Sequence, residues 1–554
     1  MTTAVARAGT LLRTLRHLKP IQILGRARLL LPVPRPDMGP APPLRAAGGP
    51  WIEPPAREPS LIGPTRLRLL DEEHDLETIG WDDPDLPLLW RYHLHYFDDL
   101  NAAQARERRD WPRALIGRWI RENPPAHGTG WAPYPTSRRI VNWIKAFMQG
   151  LPYEPHWLRS LAVQARWLER RIEWHLLGNH LFANAKALVF AGLFFDGPEA
   201  GRWLSKGVRI LRRELAEQIL PDGGHFELSP MYHALVFEDV LDLINLLRAR
   251  QASDTMALAV ESALRECAQR MLHWLRCLSH PDGAIAYFND AAEGMAPSKE
   301  ALEAYAARLD VQAEQPPVNA VIRLGSSGYV RVARGALLAL LDAAPVGASY
   351  LPGHAHADTL SFELSLGGRR VIVNGGTSCY GTGAQRQRER GTAWHSTVEV
   401  AGENSSEVWH GFRLGRRAHV VDVRIADWTI EGAHDGYCHL AGAPFHRRRW
   451  SFEPERMIVE DAVVPARHPA VARYHFAPGV RLVPQASATS WALWDGAQPL
   501  AWIRVEAGTA AAARSEYTPC FGRRVPIDTL EVALVSGRAR VLWHWGADAH
   551  LVSD

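Results

Sequence analysis

Residues 311–320, VQAEQPPVNA, divide the chain into two kinds of pattern. Before them apolar residues recur at helical spacing: Trp157, Leu158, Leu161, Leu168, Ile172 and Leu176 fall three, four and seven apart, and Val236, Val240, Leu243, Ile244 and Leu247 do the same. After them comes strand-like alternation, with Leu360, Phe362, Leu364 and Leu366 on one face. Short runs follow, VIVN at 371, STVEVAG at 396 and AHVVDVRI at 418, set apart by Gly, Asn and Asp. A stack of amphipathic helices followed by antiparallel β-structure is therefore expected, with the boundary near 315. Three regions result: a basic helix and Pro-rich surface segment (1–74), a helical domain (75–315) and a β-domain (316–554).

At 554 residues the chain exceeds one hydrophobic core, and 47% apolar with 22% charged residues is ordinary globular composition. The net charge of +3 gives no argument for nucleic acid. Five cysteines without CxxC spacing argue against a disulfide framework and read as core residues. Arg13, Arg16 and Lys19 interrupt the early apolar runs, so no signal peptide is read. The default location is then cytoplasmic, with periplasmic or envelope association left open. No stretch of roughly eighteen uncharged apolar residues suggests a transmembrane helix. Over residues 7–31 Leu and Arg alternate at helical spacing; packing on the protein body is the expected use, and a helix lying in a membrane interface is the alternative. Residues 32–68 are rich in Pro and Gly and read as extended surface chain.

The polar chemistry concentrates in a few places. In Gly353-His354-Ala355-His356-Ala357-Asp358 an extended backbone would project three polar side chains from one face. Asn374 follows the next strand and His395 precedes STVEVAG; with His356 they form a candidate metal set, two imidazoles and an oxygen donor. In the helical half Gly178-Asn179-His180 is read at the end of a helix, and Glu227-Leu228-Ser229-Pro230-Met231-Tyr232-His233 bridges a Gly-rich turn and the next helix. Asn179 and Ser229 also suit helix capping. Arg386, Arg388 and Arg390, in a loop read between two strands, and Arg138 with Arg139 are candidate basic subsites, against the alternative of a solvated arginine face. Trp90, Tyr92, His93, His95 and Tyr96 are read either as sugar-stacking rings or as core.

Taken together, GNH at 178, DGGHFELSPMYH at 222, GHAHADTLSFEL at 353, VNGGT at 373 and AWHSTVEVAGENSSE at 393 resemble the heparinase II/III superfamily of polysaccharide lyases. The resemblance spans most of residues 75–420, with a weaker echo in RHLKPIQILGRARL near the start. It implies an incomplete α/α toroid, then an antiparallel β-sandwich, with an acidic polysaccharide or oligosaccharide cleaved by β-elimination between them. It implies Asn179 and His180 as donors to the substrate carboxylate and Tyr232 as acid/base with His354 as partner; Glu227, His233, Arg138, Arg386, Arg388 and Arg390 are read beside them as candidate substrate-binding residues. It also implies one structural divalent metal, zinc, on His356, Asn374 and His395. Here the chain departs from the family, whose middle ligand is commonly Asp, and Asp358 is read as compensating by orienting a histidine. A free phenol ionises near pH 10, so Tyr232 as base would need neighbours that lower its pKa.

Two other readings stand beside this one. A metal-dependent hydrolase using the HxH pair would require βα alternation, which the chain lacks. A catalytically idle relative would bind or help process a cell-surface polysaccharide while keeping the cleft. The polymer, its uronate epimer, endo or exo action and the oligomeric state are not legible in the sequence.

Overall fold

The computed structural model describes residues 2–251 and 255–546. Helices Thr2–Leu15 and Pro20–Arg28 open the chain, and residues 32–65 follow without helix or extended strand. This segment is not simply surface: the Leu61 side chain is buried, and backbone bridges tie Leu44 to Phe195 and Arg57 to Ala102.

The helical half is built from Asp110–Glu122, Pro133–Met148, Pro155–Arg170, Gly178–Phe194, Pro198–Gln218, Pro230–Ala249, Thr255–Cys277 and Lys299–Arg308. Composition decides their layer. Gly178–Phe194 and Pro230–Ala249 are apolar nearly all round and bury almost every side chain, whereas Pro198–Gln218 keeps an arginine-bearing outer face. Proline at the first position starts four of the eight, where its missing N–H costs nothing. Inside this toroid Lys186 reaches Asp239 (2.6 Å) and Asp242 (2.7 Å), and Lys145 reaches Asp242 (3.0 Å), so the buried charges are compensated. Ile172 and Leu176, read as part of a continuous helix, lie beyond its end at Arg170.

Between Ala320 and His544 the chain is mainly antiparallel β-structure. One sheet runs Thr509–Tyr517, Val525–Ala533, Ala470–Phe476, Arg369–Val373, Phe362–Leu366, Leu337–Asp342, Tyr329–Arg334, Ala320–Leu324, with Val398–Val400 also paired to Ala470–Phe476. The other runs Val420–Ala426, Thr429–His434, Phe445–Phe452, Arg456–Val464, Arg538–His544, Gln498–Ala507, Ser490–Asp495, Val480–Pro484. Their inner faces share one apolar core, and Met231, Tyr287, Ala291 and Ala292 of the helical half join it. The two halves are therefore locked together where the site lies. Among the described residues no helix is long and apolar enough to cross a membrane, and all five cysteines are free.

Candidate active site

A cleft of about 980 Å³ lies between toroid and sandwich. Asn179, His180, Glu227, Tyr232 and His354 all line it. GNH opens the helix Gly178–Phe194 rather than ending one, which aims Asn179 and His180 into the cleft from its first turn. Gly178 is required there: its φ is +57°, and a Cβ would lie 2.2 Å from Leu351 Cδ2 and 3.0 Å from Glu227 Oε1. Tyr232 sits in the first turn of Pro230–Ala249, whose N-cap Ser229 accepts the Tyr232 N–H at 3.1 Å.

The centre of the site is Asp290, which sequence reading missed. It lies on the segment between Thr255–Cys277 and Lys299–Arg308, so it belongs to the toroid yet serves the sandwich. Its Oδ2 receives His354 Nδ1 (2.8 Å) and Arg386 (2.8 Å); its Oδ1 receives His356 Nε2 (2.8 Å), Thr377 (3.1 Å) and the second Arg386 nitrogen. Burial alone would raise the Asp290 pKa, but Arg386, His354 and His356 outweigh it and hold the carboxyl well below its usual range. An ionised carboxylate only accepts, so His354 Nδ1 carries a proton, and in the neutral ring Nε2, 3.5 Å from Glu227 Oε2, presents a lone pair. Neighbouring Asn289 clamps the halves: it donates to Leu228 O (2.9 Å), and its side-chain oxygen accepts the His356 N–H (2.9 Å).

Tyr232 packs its ring on His354, with centroids 3.8 Å apart, and shares a 3.0 Å hydroxyl contact with Tyr380, a second cleft residue missed in the sequence. Its surroundings do not lower its pKa: burial, Tyr380 and Asp290 raise it well above 10. The phenol therefore keeps its proton, contrary to the expectation that neighbours would assist its ionisation. His180 is the opposite case. Burial lowers its pKa, but Glu173, 3.1 Å from Nδ1, raises it to a net value above 6.5. Burial raises the Glu227 carboxyl, whose Oε1 accepts the Asn179 N–H at 3.3 Å.

Several sequence expectations are corrected. Residues Ala384–Glu389 form a helix, and Arg386 and Arg390 are fully buried, one on Asp290 and the other on the carbonyls of Ala355 and Gly411. Arg388 is exposed outside the cleft and pairs with Glu516 (2.8 Å). His233 is buried away from the cleft, between the His225 N–H and Met271 O. Asp358 accepts the Asn289 N–H (3.0 Å), and the histidine-orienting carboxylate is Asp290. Arg138 does line the cleft but is paired with Asp98 (3.2 Å), whereas Arg139 is buried over Trp119. Of the early aromatic cluster, Trp90, Tyr92, His93 and Tyr96 contribute to the cleft wall; His95 is core, bonded to Trp81 O. Arg26, Arg413, Arg417 and Arg524 add positive charge to the cleft wall beside Arg138, with burial first and then Arg413 lowering the Arg26 pKa.

The hydrogen bonds of the candidate metal set fix which of its nitrogens are free. His356 commits Nε2 to Asp290, and His395 commits Nδ1 to Gly391 O at 2.8 Å. Both partners only accept, so the facing nitrogens, His356 Nδ1 and His395 Nε2 at 3.1 Å, both carry lone pairs when the rings are neutral. Burial favours that neutral state, holding His356 down to about 4 and lowering His395. Two lone pairs at this distance do not bond, whereas two imidazoles on a tetrahedral zinc lie roughly 3.3 Å apart with their far nitrogens donating to oxygens. The pair fits a cation. Asn374 Oδ1 accepts the Ser396 N–H (3.1 Å) and retains a second lone pair. Among the described residues no group of three or more His, Cys, Asp or Glu is placed to hold an ion, because the third donor here is an amide.

The family model for the heparinase II/III N-terminus matches residues 95–313, and the model for the heparinase II/III-like C-terminal domain matches residues 316–544. The chain belongs to the heparinase II/III family. A heparin-sulfate lyase of Bacteroides stercoris is 25% identical over 388 residues, covering 60% of this chain and 56% of that protein. The match thus spans little more than half of that lyase. The FtsZ-localized protein C of Caulobacter vibrioides is 24% identical over 412 residues, covering 67% of this chain and 65% of the relative. Among solved structures, a heparinase III has the same fold, with a TM-score of 0.65 at 18% identity over 85% of this chain and 79% of the other. Toroid followed by sandwich is therefore the family architecture.

Proposed function

We propose that this heparinase II/III family member is a polysaccharide lyase that cleaves an acidic, uronate-containing polymer by β-elimination in the cleft. The observation that carries the reading is the pairing of a proton acceptor with a proton donor on one wall: His354, held by Asp290 with Nε2 as acceptor, stacked on a Tyr232 phenol that burial keeps protonated.

In this mechanism the uronate carboxylate is met by His180, whose pKa Glu173 raises against burial, and by the Asn179 amide, which stabilise the enolate-like charge. His354 Nε2 takes the proton at carbon five, those electrons form the double bond to carbon four, and the bond from carbon four to the glycosidic oxygen breaks. Tyr232 gives its proton to the departing oxygen, and the proton on His354 returns to the phenolate. Glu227 lies beside the imidazolium formed midway. Arg26, Arg413 and Arg417 supply positive charge for an anionic chain beyond the reacting sugar.

His356 and His395, with Asn374, would hold one divalent ion, zinc by donor type. An ion held there would brace the loop that carries His354 by tying His356 to Asn374 and His395. The name of the Bacteroides relative favours a heparan-like polymer as first substrate. A second reading, a catalytically inactive relative that binds or helps process a bacterial cell-surface polysaccharide, stands beside it, because the match to FtsZ-localized protein C is to a relative whose name states no lyase activity. Incubation with a panel of acidic polysaccharides, followed by the ultraviolet absorbance of unsaturated uronate, separates them. A rise supports the lyase, whereas a flat trace with measurable polymer binding supports the second reading.

A further inference from the structure

The first 36 residues carry seven Lys and Arg and no Asp or Glu, so the remaining chain holds 56 basic against 60 acidic residues. The net charge of +3 conceals a cationic segment on a slightly acidic body. Exposed apolar side chains are segregated to the same place. Of 19 large apolar residues exposed among the described residues, ten lie between Leu11 and Met38. Leu12 is 69% exposed, Leu24 65%, Leu30 88% and Leu31 62%.

These side chains are not an unfolded tail. The inner face of the segment is bolted to both halves: Arg13 pairs with Glu407 (2.7 Å), Trp409 donates to Thr14 (3.1 Å), and Lys19 pairs with Glu217. Gly25 presses on the His175 backbone, where a Cβ would lie 2.6 Å from the amide nitrogen. With that face docked, Leu12, Ile23, Leu24, Leu29, Leu30 and Leu31 point outward, interleaved with exposed Arg16, Arg28 and Arg35.

We infer that residues 11–35 form a membrane-docking surface for an anionic lipid bilayer, with the leucines entering the headgroup boundary and the arginines meeting lipid phosphates. Charge selects this occupant: residues 11–35 hold six cations and no anion, and with Arg13 and Lys19 paired to Glu407 and Glu217 the exposed Arg16, Arg28 and Arg35 still match an anionic bilayer, whereas a second copy of the segment would bring like charges together. Leu11, Thr14, Leu15, Leu18 and Arg26 of the same segment wall the cleft, so docking would set the cleft mouth against the membrane. The inference does not depend on catalysis.

The test is flotation of the purified full chain with phosphatidylglycerol vesicles and with phosphatidylcholine vesicles. Binding at least about tenfold stronger to the anionic vesicles, and weakened by salt, is expected. The triple variant Leu12→Asp, Leu24→Asp, Leu30→Asp should lose it while keeping its circular dichroism and melting temperature, and Leu30→Asp alone, outside any helix, should weaken it if the triple variant misfolds. No preference for anionic vesicles, or binding untouched by these variants, overturns the inference. So does a wild-type dimer in sedimentation that the triple variant makes monomeric, because a second copy then covers the face.

Discussion

Replacing Asp290 with Asn keeps size and one acceptor oxygen but removes the charge to which His354, His356 and Arg386 are tied. Two consequences follow. Arg386 is fully buried, and a buried guanidinium stripped of its partner costs about 3–5 kcal/mol, so the urea midpoint should fall clearly. The amide also presents a donor as well as an acceptor to His354, so the tautomer with Nε2 free is no longer enforced. Loss of a positioned base costs about 10²–10⁴-fold in rate. The assay is kcat/KM on a cleavable acidic polymer, at a temperature where circular dichroism reports a native fold. A folded Asp290→Asn enzyme within about threefold of the wild-type rate would refute the assignment of His354 as the oriented base.

Other outcomes follow from the same geometry. Glu173 raises the His180 pKa, so its positive charge is present below the folded pKa and lost as pH rises through it; kcat/KM should fall on that alkaline limb, and Glu173→Gln should move the limb to lower pH, while an unmoved profile would remove His180 from carboxylate binding. Burial holds His95, His233 and His475 down to about 3, so the stability that their neutral forms contribute is complete above about 6.5 and lost as pH falls toward 3, by up to about 1.4 kcal/mol per pH unit each; urea midpoints that do not drop between neutral pH and about pH 5 would contradict this. Elemental analysis should find about one zinc per chain, lost with a lower melting temperature in His395→Ala; a metal-free chain whose melting temperature zinc does not raise would contradict the cation site.

The helical and β-halves are legible because periodicity reports which face of an element is buried, and it does so without knowledge of partners. The motif residues Asn179, His180, Glu227, Tyr232 and His354 are legible as clusters and do converge on one cleft. Asp290 is not, since its role comes from a tertiary meeting of a toroid turn with a sandwich loop; its signal in the sequence is an Asn-Asp pair directly after the apolar run AIAYF. The arginines of 386–390 mislead for the converse reason. An Arg-rich stretch looks solvated in one dimension, yet a buried carboxylate and a set of orphaned carbonyls draw two of its three guanidiniums inside. The Tyr232 pKa likewise depends on burial, which no local spacing reports.

The central claim is tested most directly by mass spectrometry of the products released from an acidic polysaccharide by wild-type and Tyr232→Phe protein. Elimination predicts new non-reducing ends lighter by one water than hydrolysis would leave, formed by the wild type and not by the variant. Products that have gained a water, or unsaturated products formed equally by both proteins, would contradict it.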